Sequence, residues 1–357
     1  QADTIYGSDT TLWTETPEGR GGNDLLDGRG GIDIVRYDGA SGAVNVNLAT
    51  GTATGTDGND TLVGIEGVRG SNASDTLTGS DTSATPNAIE FFVGMAGNDT
   101  IDGGGGFDRA DYNTSDYGVN VTLGGTADGQ AQDGFGSTDV LRNIEAVRGS
   151  EHNDVLTGSD TGSFESFEGR AGNDTIDGRG GVDRVDYANE WAGVEVDLGQ
   201  GIARDGSGSV DRLMNIENVR GSNFDDDLIG SDANNLLQGN GGNDILEGGW
   251  GSDTMTGGAG VDEFMVQTGA GEVDRITDLE AGERIVFSDM VWEPNLLVRS
   301  SGDPGSLQMG EILVTSGTTT RVSVGLDGVP GADLHVDVAG NFAASHFVVG
   351  MAEYDDG

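Results

Sequence analysis

Three consecutive nonapeptides run from Gly239 to Met265 and read GNGGNDILE, GGWGSDTMT and GGAGVDEFM. In each, glycines cluster in the first four positions, Asp stands sixth and a large apolar residue stands eighth. Glycine tolerates positive φ and lets backbone carbonyls approach closely, so the first six residues predict a tight bend. The last three predict a short strand with one inward side chain, which is Leu246, Met255 or Phe264.

The bend has the chemistry of a metal site. Carboxylate and carbonyl oxygens are the ligands that calcium prefers, and Asp244, Asp253 and Asp262 supply the carboxylates. One apolar residue in nine gives about 1.5 to 3 kcal/mol. That gain cannot offset about 1 to 2 kcal/mol of backbone entropy for every residue ordered. We therefore predict that calcium binding supplies the missing free energy, so that the chain folds with the ion and unfolds without it.

Composition supports this interpretation and narrows the class of partner. Among 357 residues, 62 are acidic and 17 basic, for a formal charge of -45. An acidic disordered tail would not keep Asp at nine-residue intervals, and the absence of a basic patch argues against nucleic acid. Without Cys there are no disulfides, and no apolar run is long enough to span a membrane. No signal peptide is evident, and the start at Gln1 without Met indicates a processed form or a fragment.

The nonapeptides are organised in larger modules. Asp24, Asp99 and Asp174 lie 75 residues apart, at the start of near-identical stretches. A truncated repeat and connector precede them. The predicted organisation is a truncated unit 1–18, supermodules 19–93, 94–168 and 169–238, an uninterrupted run 239–265 and a C-terminal β cap with a secretion signal 266–357.

Each supermodule contains an arm between its nonapeptides. VNVNL, VNVTL and VEVDL alternate strictly and predict half-buried strands. The chain then returns to the repeat at Asp60, Asp139 and Asp211, and a second nonapeptide follows with Asp75, Asp154 and Asp226. Connectors opening with GSD carry insertions rich in aromatics, which either cover the core or contact a glycan or neighbouring molecule: Trp13, Phe91, Phe92, Phe164 and Phe167.

These motifs resemble the RTX, or hemolysin-type, calcium-binding repeat family over about residues 19–265. The tail DEFMVQTGAGEVDRITDLEAGERIVF is similar to the C-terminal flank of serralysin-type proteins. The resemblance implies an all-β fold, a parallel β-roll or β-solenoid, in which two nonapeptides form one coil and calcium lies between successive turns on one edge. It also implies export by a type I secretion system of a Gram-negative cell, with HFVVGMAEYDDG suited to the uncleaved signal.

By this alignment the side-chain ligands are Asp24, Asp33, Asp99, Asp108, Asp174, Asp183, Asp244, Asp253 and Asp262. The second-tier positions add Asp60, Asp75, Asp139, Asp154, Asp211 and Asp226. Carbonyls come from Gly19, Gly22, Gly28, Gly31, Gly94, Gly97, Gly103, Gly106, Gly169, Gly172, Gly178, Gly181, Gly239, Gly242, Gly248, Gly251, Gly257 and Gly260.

No catalytic constellation accompanies the repeats. The histidines His152, His335 and His346 are scattered, and the sequence has no HExxH, GxSxG or Walker motif and no cysteine nucleophile. Three functions stay open. The first is a secreted structural, adhesive or self-assembling protein at the cell surface or outside the cell. The second is the calcium-binding and secretion module of a larger protease, lipase or polysaccharide-modifying enzyme. The third is a module that binds polysaccharide or ice.

Overall fold

The computed structural model describes residues 2–9, 14–82, 89–267, 273–280, 282–287, 297–299, 311–315, 319–324, 334–339 and 349–350. Within these residues the secondary structure is entirely β, with no helix. Contacts divide the chain into two compact units, Gln1–Asp183 and Arg184–Gly357. The division falls inside the third predicted supermodule, and the supermodule boundaries stay predictions.

The first unit is built from short strands. They are β1 (Thr4–Tyr6), β2 (Thr14–Glu15), β3 (Leu25–Asp27), β4 (Ile32–Arg36), β5 (Val44–Asn47), β6 (Thr52–Gly55), β7 (Gly58–Val63), β8 (Gly67–Arg69), β9 (Thr76–Thr78), β10 (Ile89–Val93), β11 (Thr100–Asp102), β12 (Phe107–Asp111), β13 (Asn120–Thr122), β14 (Gly129–Gln132), β15 (Thr138–Arg142), β16 (Ala146–Arg148), β17 (Val155–Thr157), β18 (Ser166–Glu168) and β19 (Thr175–Asp177).

Two sheets face each other across the core of this unit. Sheet I has the spatial order β1-β3-β7-β6-β5-β9-β11-β15-β14-β13-β17-β19. Sheet II has the order β2-β4-β8-β10-β12-β16-β18 and is parallel throughout. Parallel neighbours two strands apart in the chain are the signature of a solenoid, which confirms the predicted fold class.

The second unit repeats this design and then changes. Its strands are β20 (Arg184–Asp186), β21 (Glu195–Asp197), β22 (Ile202–Arg204), β23 (Val210–Met214), β24 (Asn218–Arg220), β25 (Asp227–Ser231), β26 (Leu236–Gly241), β27 (Ile245–Gly249), β28 (Thr254–Ala259), β29 (Glu263–Val266), β30 (Val273–Ile276), β31 (Arg284–Phe287), β32 (Leu297–Arg299), β33 (Glu311–Thr315), β34 (Thr319–Val324), β35 (Leu334–Ala339) and β36 (Val349–Gly350).

Here the order within sheet I is β23-β22-β21-β25-β27-β29-β31-β36. Sheet II runs β20-β24-β26-β28-β30-β35-β34-β33-β32. The antiparallel strands β33 to β35 follow the last coil, where the sequence predicted a β cap. The predicted secretion signal lies almost entirely outside the described residues.

In the uninterrupted run, each nonapeptide strand contributes one large apolar side chain to the core. Leu228, Leu246 and Phe264 are paired in register on β25, β27 and β29, and all three are fully buried. Met255 is equally buried on the facing sheet. The predicted inward position, the eighth of each nonapeptide, is therefore confirmed in the uninterrupted run.

The arms are part of sheet I. In the first arm, β7 pairs in parallel with β3, β6 pairs antiparallel with both β7 and β5, and β5 pairs in parallel with β9. Val44 and Val46 are buried and Asn45 is exposed, as the alternation predicted. The predicted half-buried strand of the first arm is confirmed, and it lies within sheet I. Pairing within the sheet satisfies backbone groups that a projecting arm would leave open.

The connector aromatics divide between core and surface. Phe92 and Phe167 are fully buried, whereas Phe164 is 40% exposed and packs against Phe107 at 5.7 Å between ring centroids. Phe91 lies under the Arg109 guanidinium at 4.6 Å. Trp13 falls outside the described residues.

The described part also contains no helix long and apolar enough to cross a membrane.

Candidate metal centres

Most of the predicted aspartate ligands lie along the two edges of each unit, where the chain passes between sheets, whereas Asp60, Asp139 and Asp211 lie within strands β7, β15 and β23 of sheet I. Edge I, the passage from sheet II to sheet I, holds Asp24, Asp99, Asp244 and Asp262. Edge II, the reverse passage, holds residues such as Asp108. All fifteen predicted aspartates are buried, none with more than 8% of its surface exposed. Burying a carboxylate is costly unless hydrogen bonds or a cation compensate.

On edge I, one carboxylate oxygen of the aspartate is used in a ladder that joins neighbouring turns. Asp226 N–H donates to Asp244 Oδ1 at 2.9 Å, and Asp244 N–H donates to Asp262 Oδ1 at 2.9 Å. The same contact joins Asp75 N–H to Asp99 Oδ1 at 2.7 Å. In these edge I turns each Asp therefore fixes the register of the turn before it, and only its second oxygen is available to a ligand, whereas Asp33 and Asp108 on edge II have both carboxylate oxygens buried without a partner.

That second oxygen has no hydrogen-bond partner in a defined set of turns. Within the described residues, Oδ2 is buried without a partner in Asp24, Asp33, Asp99, Asp108, Asp244 and Asp262. It lies where the position-one glycine would carry a side chain. A Cβ at Gly19 would stand 2.6 Å from Asp24 Oδ2, and one at Gly103 would stand 2.7 Å from Asp108 Oδ2.

A carbonyl oxygen of the next turn enters the same space. A Cβ at Gly239 would contact Asp244 Oδ2 and would lie 2.6 Å from the carbonyl oxygen of Gly257. Two oxygens of neighbouring turns therefore lie close together, and Asp244 Oδ2 accepts no hydrogen bond. An all-oxygen site with a buried, partnerless carboxylate fits calcium, a hard cation that accepts carboxylates and backbone carbonyls together.

The backbone of these turns is left-handed at the second position, whatever residue stands there. Six non-glycine residues with positive φ occupy that position: Arg20, Arg29, Met95, Arg170, Arg179 and Asn240. Such a conformation is costly for a residue with a side chain and persists where the surrounding structure demands it. Position one thus requires glycine because a Cβ there would clash with the Asp carboxylate. Position two requires a positive φ, which several residue types adopt here.

Comparison with known proteins identifies these turns. The sequence profile of the RTX calcium-binding nonapeptide repeat matches residues 18–35, 52–67, 88–110, 161–189, 220–255 and 229–264. The chain carries RTX calcium-binding repeats. Every turn with a left-handed second position falls inside a matched segment, and we call these the RTX turns. The matches end at 264, so the likeness of the C-terminal flank to serralysin-type proteins stays a prediction.

The sequence was also compared with curated proteins, and the fold with solved structures. No curated protein matched the sequence. Among solved structures, the chain is similar to the solution structure of the AlgE6R3 subunit from the Azotobacter vinelandii mannuronan C5-epimerase, with 25% identity. That alignment covers 37% of this chain and 77% of that chain, with a TM-score of 0.27. A likeness of that size carries no conclusion about function.

A second kind of turn has the same aspartate with a different partner. In residues 70–75, Ser71 N–H donates to Asp75 Oδ2 at 2.5 Å and Ser71 Oγ donates to Oδ1 at 2.8 Å. Ser150 caps Asp154 and Ser222 caps Asp226 in the same way. We call these the serine-capped turns. They point an N–H and a hydroxyl at the carboxylate, so both of its oxygens are already hydrogen bonded.

The same cap explains the GSD signal of the connectors. On edge II, Ser80 N–H donates to Glu90 Oε2 at 2.7 Å, and Ser159 N–H donates to Glu165 Oε2 at 2.8 Å. Sequence reasoning treated GSD only as the start of a connector. The signal that could have identified the cap is Ser at the position where RTX turns require a left-handed residue.

In a third group of aspartates, a tyrosine hydroxyl donates a hydrogen bond to the carboxylate. Tyr37 OH donates to Asp60 Oδ2 at 3.0 Å, while Asp60 Oδ1 accepts the Asp24 N–H at 2.9 Å. Tyr112 and Tyr187 donate to Asp139 and Asp211 at 3.2 and 3.0 Å. The six second-tier aspartates, which the sequence added to the predicted ligands, therefore have protein donors on Oδ2, the oxygen that has no partner in the RTX turns described above.

Burial and mutual repulsion alter the acidity of the RTX carboxylates. Burial raises the pKa of Asp99 to about 8, and the charges of Asp139, Asp75 and Asp133 add to the rise. The pKa of Asp108 is raised to about 8 by burial and by Glu145 and Glu90, and that of Asp244 to about 7, chiefly by burial. Without a cation, each of these carboxyl groups holds its proton more tightly than an exposed Asp does.

Acidifying the calcium-free chain is therefore expected to make it more compact. Asp99 binds its proton more tightly when folded, at a pKa of about 8, than in its ordinary range near 3.8. The free energy of unfolding of the calcium-free chain then falls as pH rises from about 4 to about 8. Sedimentation velocity in calcium-stripped buffer should show a smaller frictional ratio at pH 5 than at pH 8. Equal frictional ratios at the two pH values would contradict the raised pKa of these buried carboxyl groups.

No cluster of three or more acidic or histidine side chains forms a cage in the part of the chain that the structure describes. This absence agrees with turns that combine one or two carboxylates with backbone carbonyls. A search for side chains alone would overlook such a site. Thiolate ligands are lacking because the sequence has no Cys, which also favours calcium over zinc.

Proposed function

We propose that this chain is a secreted calcium-binding RTX scaffold that folds on calcium outside the cell and serves a structural, adhesive or self-assembling role. The observation that carries the proposal is the set of buried Oδ2 atoms without a partner in the described RTX turns. Calcium would be held by Asp24, Asp33, Asp99, Asp108, Asp244 and Asp262 with glycine carbonyls. Asp174, Asp183 and Asp253 join them by their position in the repeat.

The serine-capped and tyrosine-capped aspartates are not calcium ligands in this proposal. Their carboxylates already accept two or three hydrogen bonds, and a cation would have to displace a buried N–H or O–H donor. They serve instead as fixed turns between the RTX turns. The chain would thus bind fewer ions than its number of aspartates at position six.

Calcium binding would also reduce the net negative charge of the chain. With a formal charge of -45, repulsion favours an expanded chain where calcium is scarce, as in the cytosol. Such a chain could pass through a type I secretion system and fold where calcium is abundant. Arms built into sheet I favour a rigid scaffold over a set of catalytic or flexible loops, and this supports the structural role.

Replacing Asp244 with Asn is expected to weaken calcium binding, whereas Asp75→Asn should not. Both aspartates stand at the sixth position of an edge I turn and both are at most 2% exposed. Only Asp244 has a partnerless Oδ2. Isothermal titration of the full chain should show at least one site weakened by about tenfold in D244N, as expected for loss of a ligand charge. Equal loss in both variants would refute the division between turns.

The structural role needs a separate measurement. Electron microscopy and sedimentation at high protein concentration, with and without millimolar calcium, should reveal ordered assemblies or attachment to polysaccharide only in calcium. A chain that stays monomeric and binds no surface in calcium would leave it a calcium-binding repeat module, and the structural role would be abandoned.

A further inference from the structure

The loop that closes the second arm contains a buried carboxylate outside the nonapeptide pattern. Asp133 is fully buried at the end of β14. Its Oδ1 accepts three backbone N–H groups, from Phe135 at 3.0 Å, Gly136 at 3.1 Å and Ser137 at 2.9 Å. Its Oδ2 is buried and has no hydrogen-bond partner among the described residues. Three N–H groups therefore hold Oδ1 in place, whereas Oδ2 can accept a ligand.

This loop stacks directly on an RTX turn. Asp99 N–H donates to Asp139 Oδ1 at 3.0 Å, and Thr138 N–H donates to Asn98 Oδ1 at 3.1 Å. The loop therefore occupies the place beside turn 94–99 that a further RTX turn occupies beside Gly239–Asp244. Asp99 Oδ2 is itself buried and partnerless. Asp133 closes this same loop, because its N–H donates to the Ser137 carbonyl at 3.2 Å, next to Thr138.

The other arms show that this arrangement is specific to the second. In the third arm the equivalent Asp205 has the same loop, DGSGS, but Ser207 Oγ donates to its Oδ2 at 2.9 Å. Phe135 stands in place of Ser207 in the second arm and cannot make that bond. The first arm has Gly55 at this position, in a loop one residue shorter. Only the second arm thus combines the buried Asp with an unused oxygen.

We propose that Asp133 is an additional calcium ligand, supplied by the second arm to complete the site of turn 94–99. Its Oδ2 and that of Asp99 would be the two carboxylate ligands, with glycine carbonyls of the turn filling the remaining positions. The inference rests on the proposed calcium function. It adds a ligand that the nonapeptide pattern does not contain.

Calcium titration of the full chain tests the proposal with four variants. D133N should weaken one site by about tenfold or more, the scale of losing a ligand charge. F135S should weaken the same site, because the new hydroxyl can bond Asp133 Oδ2 as Ser207 bonds Asp205. F135A removes the ring without adding a hydroxyl and should keep the site. D205N should bind calcium as the unmodified chain does, since Asp205 Oδ2 is already hydrogen bonded.

Circular dichroism at saturating calcium establishes that each variant is folded, and F135S tests the site even if D133N is not. If D133N or, where it does not fold, F135S keeps every site at unmodified affinity, Asp133 is not a ligand and the inference fails while the calcium function stands. If the unmodified chain binds no calcium, the proposed function itself fails.

Discussion

Chelating calcium from the folded chain is expected to abolish its β structure. At a calcium concentration 100 times the dissociation constant, one site stabilises the folded state by about 2.7 kcal/mol. Six turns have a partnerless Oδ2 among the described residues. If each holds one ion, they contribute about 16 kcal/mol in total, which exceeds the roughly 5 to 15 kcal/mol of net stability of an ordinary domain.

The measurement is far-ultraviolet circular dichroism with sedimentation velocity, first in millimolar calcium and then in excess chelator. The β signal should disappear and the sedimentation coefficient should fall in chelator, then recover on return of calcium. Magnesium is the control, because its octahedral geometry and reluctance to lose water suit a carbonyl-lined turn poorly. A chain that stays compact and β-rich in chelator would show that calcium is not needed for folding.

Truncating the core of one coil is the second large effect. Leu246→Ala should lower the free energy of unfolding by about 2 to 5 kcal/mol in saturating calcium, because it leaves a cavity between Leu228 and Phe264. Leu246 is fully buried and is paired in register with both. The core is one residue thick, so no second layer can fill the space.

Ile245→Ala is the matched control, since Ile245 lies beside Leu246 on the same strand and is 40% exposed. It should cost less than about 1 kcal/mol. Thermal melts of both variants at one calcium concentration give the comparison. Equal destabilisation by the two changes would mean that the inward direction of the strand has been assigned wrongly.

Much of this fold follows from the period of the sequence. A nine-residue repeat with one apolar position fixes the inward residue of each strand, so Leu246, Met255 and Phe264 could be placed without coordinates. The predicted length of three residues was too short, because β27, β28 and β29 contain 5, 6 and 4 residues. The alternation in VNVNL likewise identified the buried faces of the arms. These predictions succeeded because they depend on local spacing alone.

Three features were not predicted from the sequence. The return of β6 and β7 into sheet I is a matter of which strand pairs with which, and alternation does not encode a partner. The division of the aspartates depends on Ser71, Tyr37 and their equivalents, whose side chains reach the carboxylate only once the turn has formed. The left-handed φ of Arg20 or Met95 is similarly invisible, because neither residue favours it.

The ladder along each edge makes the carboxylates a one-dimensional chain of nearest neighbours. The Oδ1 of Asp244 orders the turn before it, and Asp262 orders Asp244 in turn. An ion that fixes one carboxylate therefore prepares the adjacent turn for its own ion, in the manner of neighbouring units in a repeat array. Arm loops and capped turns interrupt such runs. We therefore expect calcium to act cooperatively within each uninterrupted run of turns, and the predicted supermodules would set where one run stops and the next begins.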